Sequence, residues 1–149
     1  MAKKVPLRSP TDEPVPMARL SSMGLELDEI AVDDKIELAA LLELAEDRGR
    51  PPSHYIAALP LATDFTLAAP EGAVNEVRVC AGNCQSYGAL VLLDHLAVKP
   101  QPASKFSIKA VECLDRCDLA PACEIHGAHG QLVVAPATIA KLDEALATL

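Results

Sequence analysis

The sequence predicts an α/β fold with one mixed β-sheet and helices packed on it. Two observations in the second half of the chain carry this prediction. An apolar helical pattern lies between two strand patterns, which favours a parallel pair of strands joined by a crossover helix. Two further strand patterns flank a glycine-containing turn at residues 127–130, which predicts an antiparallel hairpin. The predicted order is therefore strand, helix, strand, long loop, strand, strand and helix.

The first part of the chain divides into two segments. Residues 1–30 are predicted to form a flexible tail, because four of the 12 prolines fall among the first 16 residues and proline disfavours regular elements. An arm that orders on a partner subunit is the alternative. Residues 31–72 are predicted to form a helical region of two helices and a loop. The first helix is expected to begin after Asp33–Asp34 and to end at Gly49. The second is expected to run from Pro52 to Pro60, and the loop from Thr63 to Gly72.

Residues 73–149 are predicted to form the sheet domain. Its strands show alternation of apolar and polar side chains, as in Phe106, Ile108 and Ala110, and its crossover helix is apolar. This order of elements is that of a thioredoxin-like fold. The expected strands are 77–80, 106–111, 123–126 and 131–134, and the expected helices are 87–97 and the segment after Pro136.

Composition excludes several classes of function. The formal net charge is −8 and aromatic residues make up 3%, which argues against a nucleic-acid-binding protein. No apolar run reaches the ~20 residues of a transmembrane helix, and the basic start lacks the apolar core of a secretory signal. We therefore expect a cytoplasmic protein without membrane insertion. Cysteine thiols stay reduced in that compartment, so the five cysteines are read first as ligands or catalytic groups.

Four cysteines form two C-x3-C pairs, Cys80 with Cys84 and Cys113 with Cys117, and each pair follows a predicted strand. Loops at the same sheet edge converge, so four thiolates suit a [2Fe–2S] cluster or a tetrahedral zinc site. Gly82 lets the first loop turn tightly. A single C-x3-C is a weak signal, and two after neighbouring strands are a moderate one. Buried small apolar residues and a redox-active dithiol are the alternatives.

The second cysteine loop resembles a known family. Residues 113–122, CLDRCDLAPA, are similar to the second loop of the thioredoxin-like [2Fe–2S] ferredoxins, which include the E subunits of NADH:quinone oxidoreductases and the gamma subunits of NAD-linked formate dehydrogenases and hydrogenases. Residues 84–88, CQSYG, resemble their first loop, and the similarity covers residues 75–149. The first pair departs from the family's usual C-x4-C spacing. The resemblance implies that Cys80, Cys84, Cys113 and Cys117 bind a [2Fe–2S] cluster.

The predicted function is electron transfer without substrate chemistry on this chain. The resemblance implies a redox partner, a flavin- and iron–sulfur-containing subunit of an NAD(H)-linked oxidoreductase. A free-standing ferredoxin and a zinc-stabilised interaction module are the alternatives, and a homodimer is left open. Cys123 is predicted to be either a buried strand thiol or a spare ligand. The four histidines are predicted to be exposed or to cap helices. The acidic residues near the second loop form either a solvated rim or a docking patch for a basic partner: Asp115, Asp118 and Glu124.

Overall fold

The computed structural model describes residues 15–82, 88–98, 106–112, 121–127 and 130–147. These residues form a mixed α/β fold with five α-helices, a four-stranded sheet and a two-stranded sheet. None of the described helices combines the length and the apolarity needed to cross a membrane. In chain order the elements are α1 (Met17–Asp28), β1 (Lys35–Ile36), α2 (Leu38–Arg48), α3 (Pro52–Ala62), β2 (Thr66–Leu67), β3 (Asn75–Cys80), α4 (Ala89–Val98), β4 (Phe106–Val111), β5 (Cys123–Gly127), β6 (Gly130–Val134) and α5 (Ile139–Ala147).

The four-stranded sheet has the order β4-β3-β5-β6. Strands β3 and β4 are parallel and are connected through α4, while β5 runs antiparallel to both β3 and β6. The predicted parallel pair with its crossover helix and the predicted antiparallel hairpin are both confirmed. The architecture is consistent with the predicted thioredoxin-like α/β fold.

The sheet has one apolar and one polar face, because successive side chains of a strand alternate between faces. Val77 and Val79 lie opposite Ile108 and Ala110, and all four are buried. Burying each of the larger side chains, those of Val77, Val79 and Ile108, contributes about 1.5–3 kcal/mol. Helices α3, α4 and α5 contact the strands β4, β3 and β6 respectively. The other face carries polar side chains such as that of Lys109, which is exposed.

Helix α1 lies in the segment that the sequence analysis predicts to be a tail, so this prediction is wrong for Met17–Asp28. Leu20, Met23 and Leu27 recur at helical spacing and are at most 2% exposed. They bury the apolar side of α1, which packs on α3. The prolines that suggested a tail all precede the helix, and Pro16 takes its N-cap position. Residues 1–14 lie outside the described part of the chain.

The helical region also contains two short strands that the sequence analysis does not predict. Asp33 and Asp34 have φ angles of 53° and 65°, so they form a turn, and α2 begins only at Leu38. Strand β1 then pairs in parallel with β2, which lies in the expected loop. The end of α2 at Gly49 is confirmed, with a left-handed φ of 65°. Strands of two residues are too short to show alternation of apolar and polar side chains. They form only when a distant partner strand is present.

An acidic side chain of the sheet domain caps α3. The Asp94 carboxylate, on α4, accepts hydrogen bonds from the backbone N–H of Ser53 at 2.7 Å and from its hydroxyl at 3.0 Å. The start of a helix leaves N–H groups without intrahelical partners and attracts negative charge. Burial raises the pKa of Asp94, while the two bonds from Ser53 oppose this rise. The contact fastens the helical region to the sheet domain.

A buried carboxylate joins α1 to the start of α3. The Glu26 carboxylate accepts hydrogen bonds from the Tyr55 hydroxyl and from the Arg50 guanidinium, both at 2.8 Å, and it lies 3.3 Å from Arg48. Burial alone would raise the pKa of Glu26. The hydrogen bonds from Tyr55 and Arg50 and the two positive charges outweigh burial, so the pKa lies below its usual value of 4.5.

We predict that Glu26→Gln destabilises the protein by about 2 kcal/mol at neutral pH, because hydrogen bonds to a buried charged group are lost. A lowered pKa in the folded state means that the ionised carboxylate stabilises the fold above pH 4.5. This contribution disappears as the pH falls through the folded-state pKa. Urea unfolding of wild type and variant, followed by circular dichroism between pH 7 and pH 3.5, measures the difference.

The matched control is Glu29→Gln, which neutralises an exposed carboxylate just after the same helix. It should change stability by less than ~0.5 kcal/mol at each pH. Equal destabilisation by the two variants, or a difference that does not narrow below pH 4.5, would contradict the role given to Glu26.

Candidate metal centre

The two strands that precede the cysteine pairs end side by side. Cys80 is the last residue of β3, and its register partner is Val111, the last residue of β4. Glu112 follows Val111 and immediately precedes Cys113 in the sequence. Since β3 and β4 are parallel, the chain leaves both strands at the same edge of the sheet. The first and second cysteine loops therefore begin next to each other.

The Cys80 side chain points along this edge towards the start of the second loop. Its thiol donates a hydrogen bond of 3.5 Å to the backbone carbonyl of Glu112, and the residue is 1% exposed. The backbone N–H of Cys80 donates to the carbonyl of Ala122 at 3.3 Å, and that of Ala81 donates to Val111 at 2.6 Å. The neighbouring segments on both sides thus fix the position of the sulfur.

Gly82 allows the two loops to approach closely. A Cβ atom at this position would collide with the backbone carbonyl oxygen of Glu112. The fixed neighbour is a main-chain atom at the end of β4, so it cannot rotate away as a side chain would. Glycine is required here because of the close contact between segments, which is a different reason from the tight turn that the sequence predicts.

Three of the four predicted ligands, Cys84, Cys113 and Cys117, lie outside the described residues. Within the described ranges, no group of three or more cysteine, histidine or acidic side chains forms a metal-binding cluster. The structure therefore describes Cys80 and the places where the loops leave β3 and β4. The four-cysteine ligand set stays a prediction.

Cys123 and Cys80 lie at the same end of the sheet but on opposite faces. Cys123 is the register partner of Val79, so its side chain shares the apolar face with that valine, whereas the next residue, Cys80, points to the other face. Cys123 is fully buried in the hydrophobic core. This geometry favours the interpretation of Cys123 as a core thiol over that of a spare ligand.

The histidines depart from the expectation that they are exposed or cap helices. His54 is only 4% exposed within α3. The half-buried ring of His95 lies 2.8 Å from the Asp143 carboxylate and links α4 to α5. His126 lies 3.0 Å from Glu124. The partner of His95 is distant in the sequence, so the residues around it do not reveal this contact, whereas the partner of His126 lies two residues away on the same strand. His129 lies outside the described residues.

Of the three acidic residues that the sequence places near the second loop, only Glu124 belongs to the described residues. This residue is 8% exposed, so the prediction of a solvated side chain is wrong here. It lies on the polar face opposite Arg78, and its carboxylate is covered there beside His126. Asp115 and Asp118 fall outside the described part of the chain, so their role as a docking patch stays a prediction.

A cleft of about 290 Å³ lies against the edge strand β4, at the end from which the second loop leaves. Phe65 and Leu67 form one wall, Val111 and Glu112 form the other, and the end of α3 closes it. The sequence analysis missed this cleft because its walls come from three elements that are distant in the chain. It is an apolar recess directly beside the start of the second cysteine loop.

Comparisons with protein-family models and with curated proteins find no match to this chain.

We predict that Gly82→Ala separates the ends of β3 and β4 and lowers the free energy of unfolding by about 1–3 kcal/mol, the range for an overpacked site. Displacing Glu112 also uncovers the Cys80 thiol. Alkylation of Cys80 by iodoacetamide, located by peptide mass spectrometry, should become faster.

Gly72→Ala serves as the control, since a Cβ there meets open space but the residue has a φ of 81°. It should lower stability through backbone strain and leave alkylation of Cys80 unchanged. Wild-type stability and wild-type alkylation in Gly82→Ala would show that the close contact at Glu112 has no role.

Proposed function

We propose that this chain is an electron-transfer protein that holds one [2Fe–2S] cluster through Cys80, Cys84, Cys113 and Cys117. The observation that carries the proposal is the in-register parallel pairing of Cys80 with Val111. It brings the beginning of both C-x3-C loops to one edge of the sheet. Four thiolates in two pairs are the usual ligand set of such a cluster.

The described residues fit such a group in two respects. The Cys80 sulfur lies against the backbone of the residue that precedes Cys113, and Gly82 removes the Cβ that would keep the loops apart. Hydrogen bonds from backbone N–H groups to sulfur generally tune the reduction potential of such a cluster. When bound, a [2Fe–2S] cluster supplies a one-electron redox centre, so this chain needs no catalytic side chain of its own.

The proposed partner is a flavin- and iron–sulfur-containing subunit of an NAD(H)-linked oxidoreductase, as the resemblance of residues 84–88 and 113–122 implies. A free-standing ferredoxin is the closest variant of this proposal. We also propose a cytoplasmic location, because thiols that serve as ligands must stay reduced. The net charge of −8 favours a partner surface that carries positive charge.

The test is the iron and acid-labile sulfide content of protein purified without oxygen, followed by EPR spectroscopy after reduction with dithionite. We expect about two irons and two sulfides per chain, a reddish-brown oxidised protein and a rhombic signal after reduction. About one zinc without sulfide would overturn the proposal in favour of a zinc-stabilised interaction module. A colourless protein without metal, whose thiol count changes with reductant, would instead indicate a redox-active dithiol.

The chain offers a matched pair of variants for the ligand assignment. Cys80 and Cys123 are both buried thiols at the same end of the sheet, on neighbouring strands but on opposite faces. We predict that Cys80→Ser lowers the iron content and the EPR signal at least tenfold, whereas Cys123→Ser keeps both. Serine at Cys84, Cys113 or Cys117 should act like serine at Cys80. Loss of iron in Cys123→Ser but not in Cys80→Ser would overturn the ligand set.

A further inference from the structure

The outer edge of strand β6 has no strand partner among the described residues. In the order β4-β3-β5-β6, this strand pairs only with β5. The opposite edge of the sheet is different, since β2 and the end of α3 lie against β4. Within the described ranges, the backbone N–H and C=O groups on the outer side of β6 therefore have no strand partner, and such groups can pair with a further strand.

This edge also lacks the features that prevent strands from pairing with other chains. Such features include charged side chains and proline on the edge strand. The sequence of β6 is GQLVV, which contains neither. Leu132 is 44% exposed and Val133 is 36% exposed, and as adjacent residues they lie on opposite faces of the sheet. Apolar side chains therefore flank this edge on both faces, and their burial would favour contact with another chain.

The surface beside this edge carries one positive and one negative side chain, which can pair with the same two side chains of a second copy related by a two-fold axis. A groove of about 470 Å³ runs between β6 and α5 and is lined by Leu132, Val133, Lys141 and Glu144 among others. Lys141 and Glu144 are exposed and lie three residues apart on α5, so they project from the same side of the helix. A two-fold interface brings the same patch of two copies together, and a patch with both charge signs can complement itself.

We propose that a second copy of this chain occupies the edge, with β6 pairing antiparallel to β6 of the other copy about a two-fold axis. The two sheets then form one continuous sheet of eight strands. Both α5 helices lie on the same side of it, and Lys141 of one copy faces Glu144 of the other. Strand pairing and burial of Leu132 oppose the repulsion between two chains that each carry a charge of −8. The dimer does not depend on the proposed cluster.

The first experiment measures the molar mass of the full chain by size-exclusion chromatography with light scattering over a concentration series. We expect the wild type to form dimers of twice the 15.7 kDa chain mass. Leu132→Lys should raise the dissociation constant of the dimer at least tenfold. Val32→Lys is the control, because Val32 is 70% exposed but lies beside β1, away from β6. A monomeric wild type at every concentration would overturn the proposal, as would an undisturbed dimer in Leu132→Lys.

The second experiment tests the two-fold arrangement through the charges on α5. Lys141→Glu and Glu144→Lys each place like charges together across the axis, so each variant should weaken the dimer. The double variant restores opposite charges and should recover most of the lost affinity. These positions are exposed, and circular dichroism confirms that the variants fold. A double variant that dimerises no better than either single variant would overturn the proposed arrangement.

Discussion

The parallel, in-register pairing of β3 and β4 is the constraint on which the rest of the candidate metal centre depends. It aligns Cys80 with Val111, so the chain enters both C-x3-C loops from one edge of the sheet. A shift of one residue would exchange the faces of the sheet. The buried Val77 and Val79 would then face outward, so the hydrophobic core itself maintains the register. Packing far from the loops in this way determines where the Cys80 sulfur lies.

The helical region is held to the sheet domain by polar contacts as well as by packing. Asp94 on α4 caps α3 through Ser53, and Glu26 on α1 reaches Tyr55 and Arg50. Burial of a charged group is costly unless it is paired and hydrogen-bonded. Glu26 is ion-paired and hydrogen-bonded, and Asp94 is hydrogen-bonded, only when their helices are correctly placed. These contacts therefore specify one arrangement of α1 and α3, which in turn forms a wall of the cleft beside β4.

Local pattern predicted the elements whose determinants lie within a few residues. The alternation of Phe106, Ile108 and Ala110 gave β4 its correct limits, and Gly49 gave the end of α2. Prediction failed where a distant partner decides the structure. Helix α1 forms because Leu20 and Met23 meet α3, and β1 forms because Ile36 pairs with Leu67. For the candidate site, the sequence predicted the neighbouring strands from which both cysteine loops start, whereas the burial of Glu124 and the cleft depend on tertiary contacts.

Three sides of the sheet differ in what they contact or are proposed to bind. The outer edge of β4 contacts the helical region, and the end at Cys80 and Glu112 precedes the proposed metal centre. The outer edge of β6 has no strand partner in the described part of the chain and is the proposed site of a second copy. Cys80 and Cys123 are both buried, and they lie on opposite faces at the same end of the sheet. The face, and not the burial, distinguishes the two thiols, so the comparison of their serine variants isolates the effect of position.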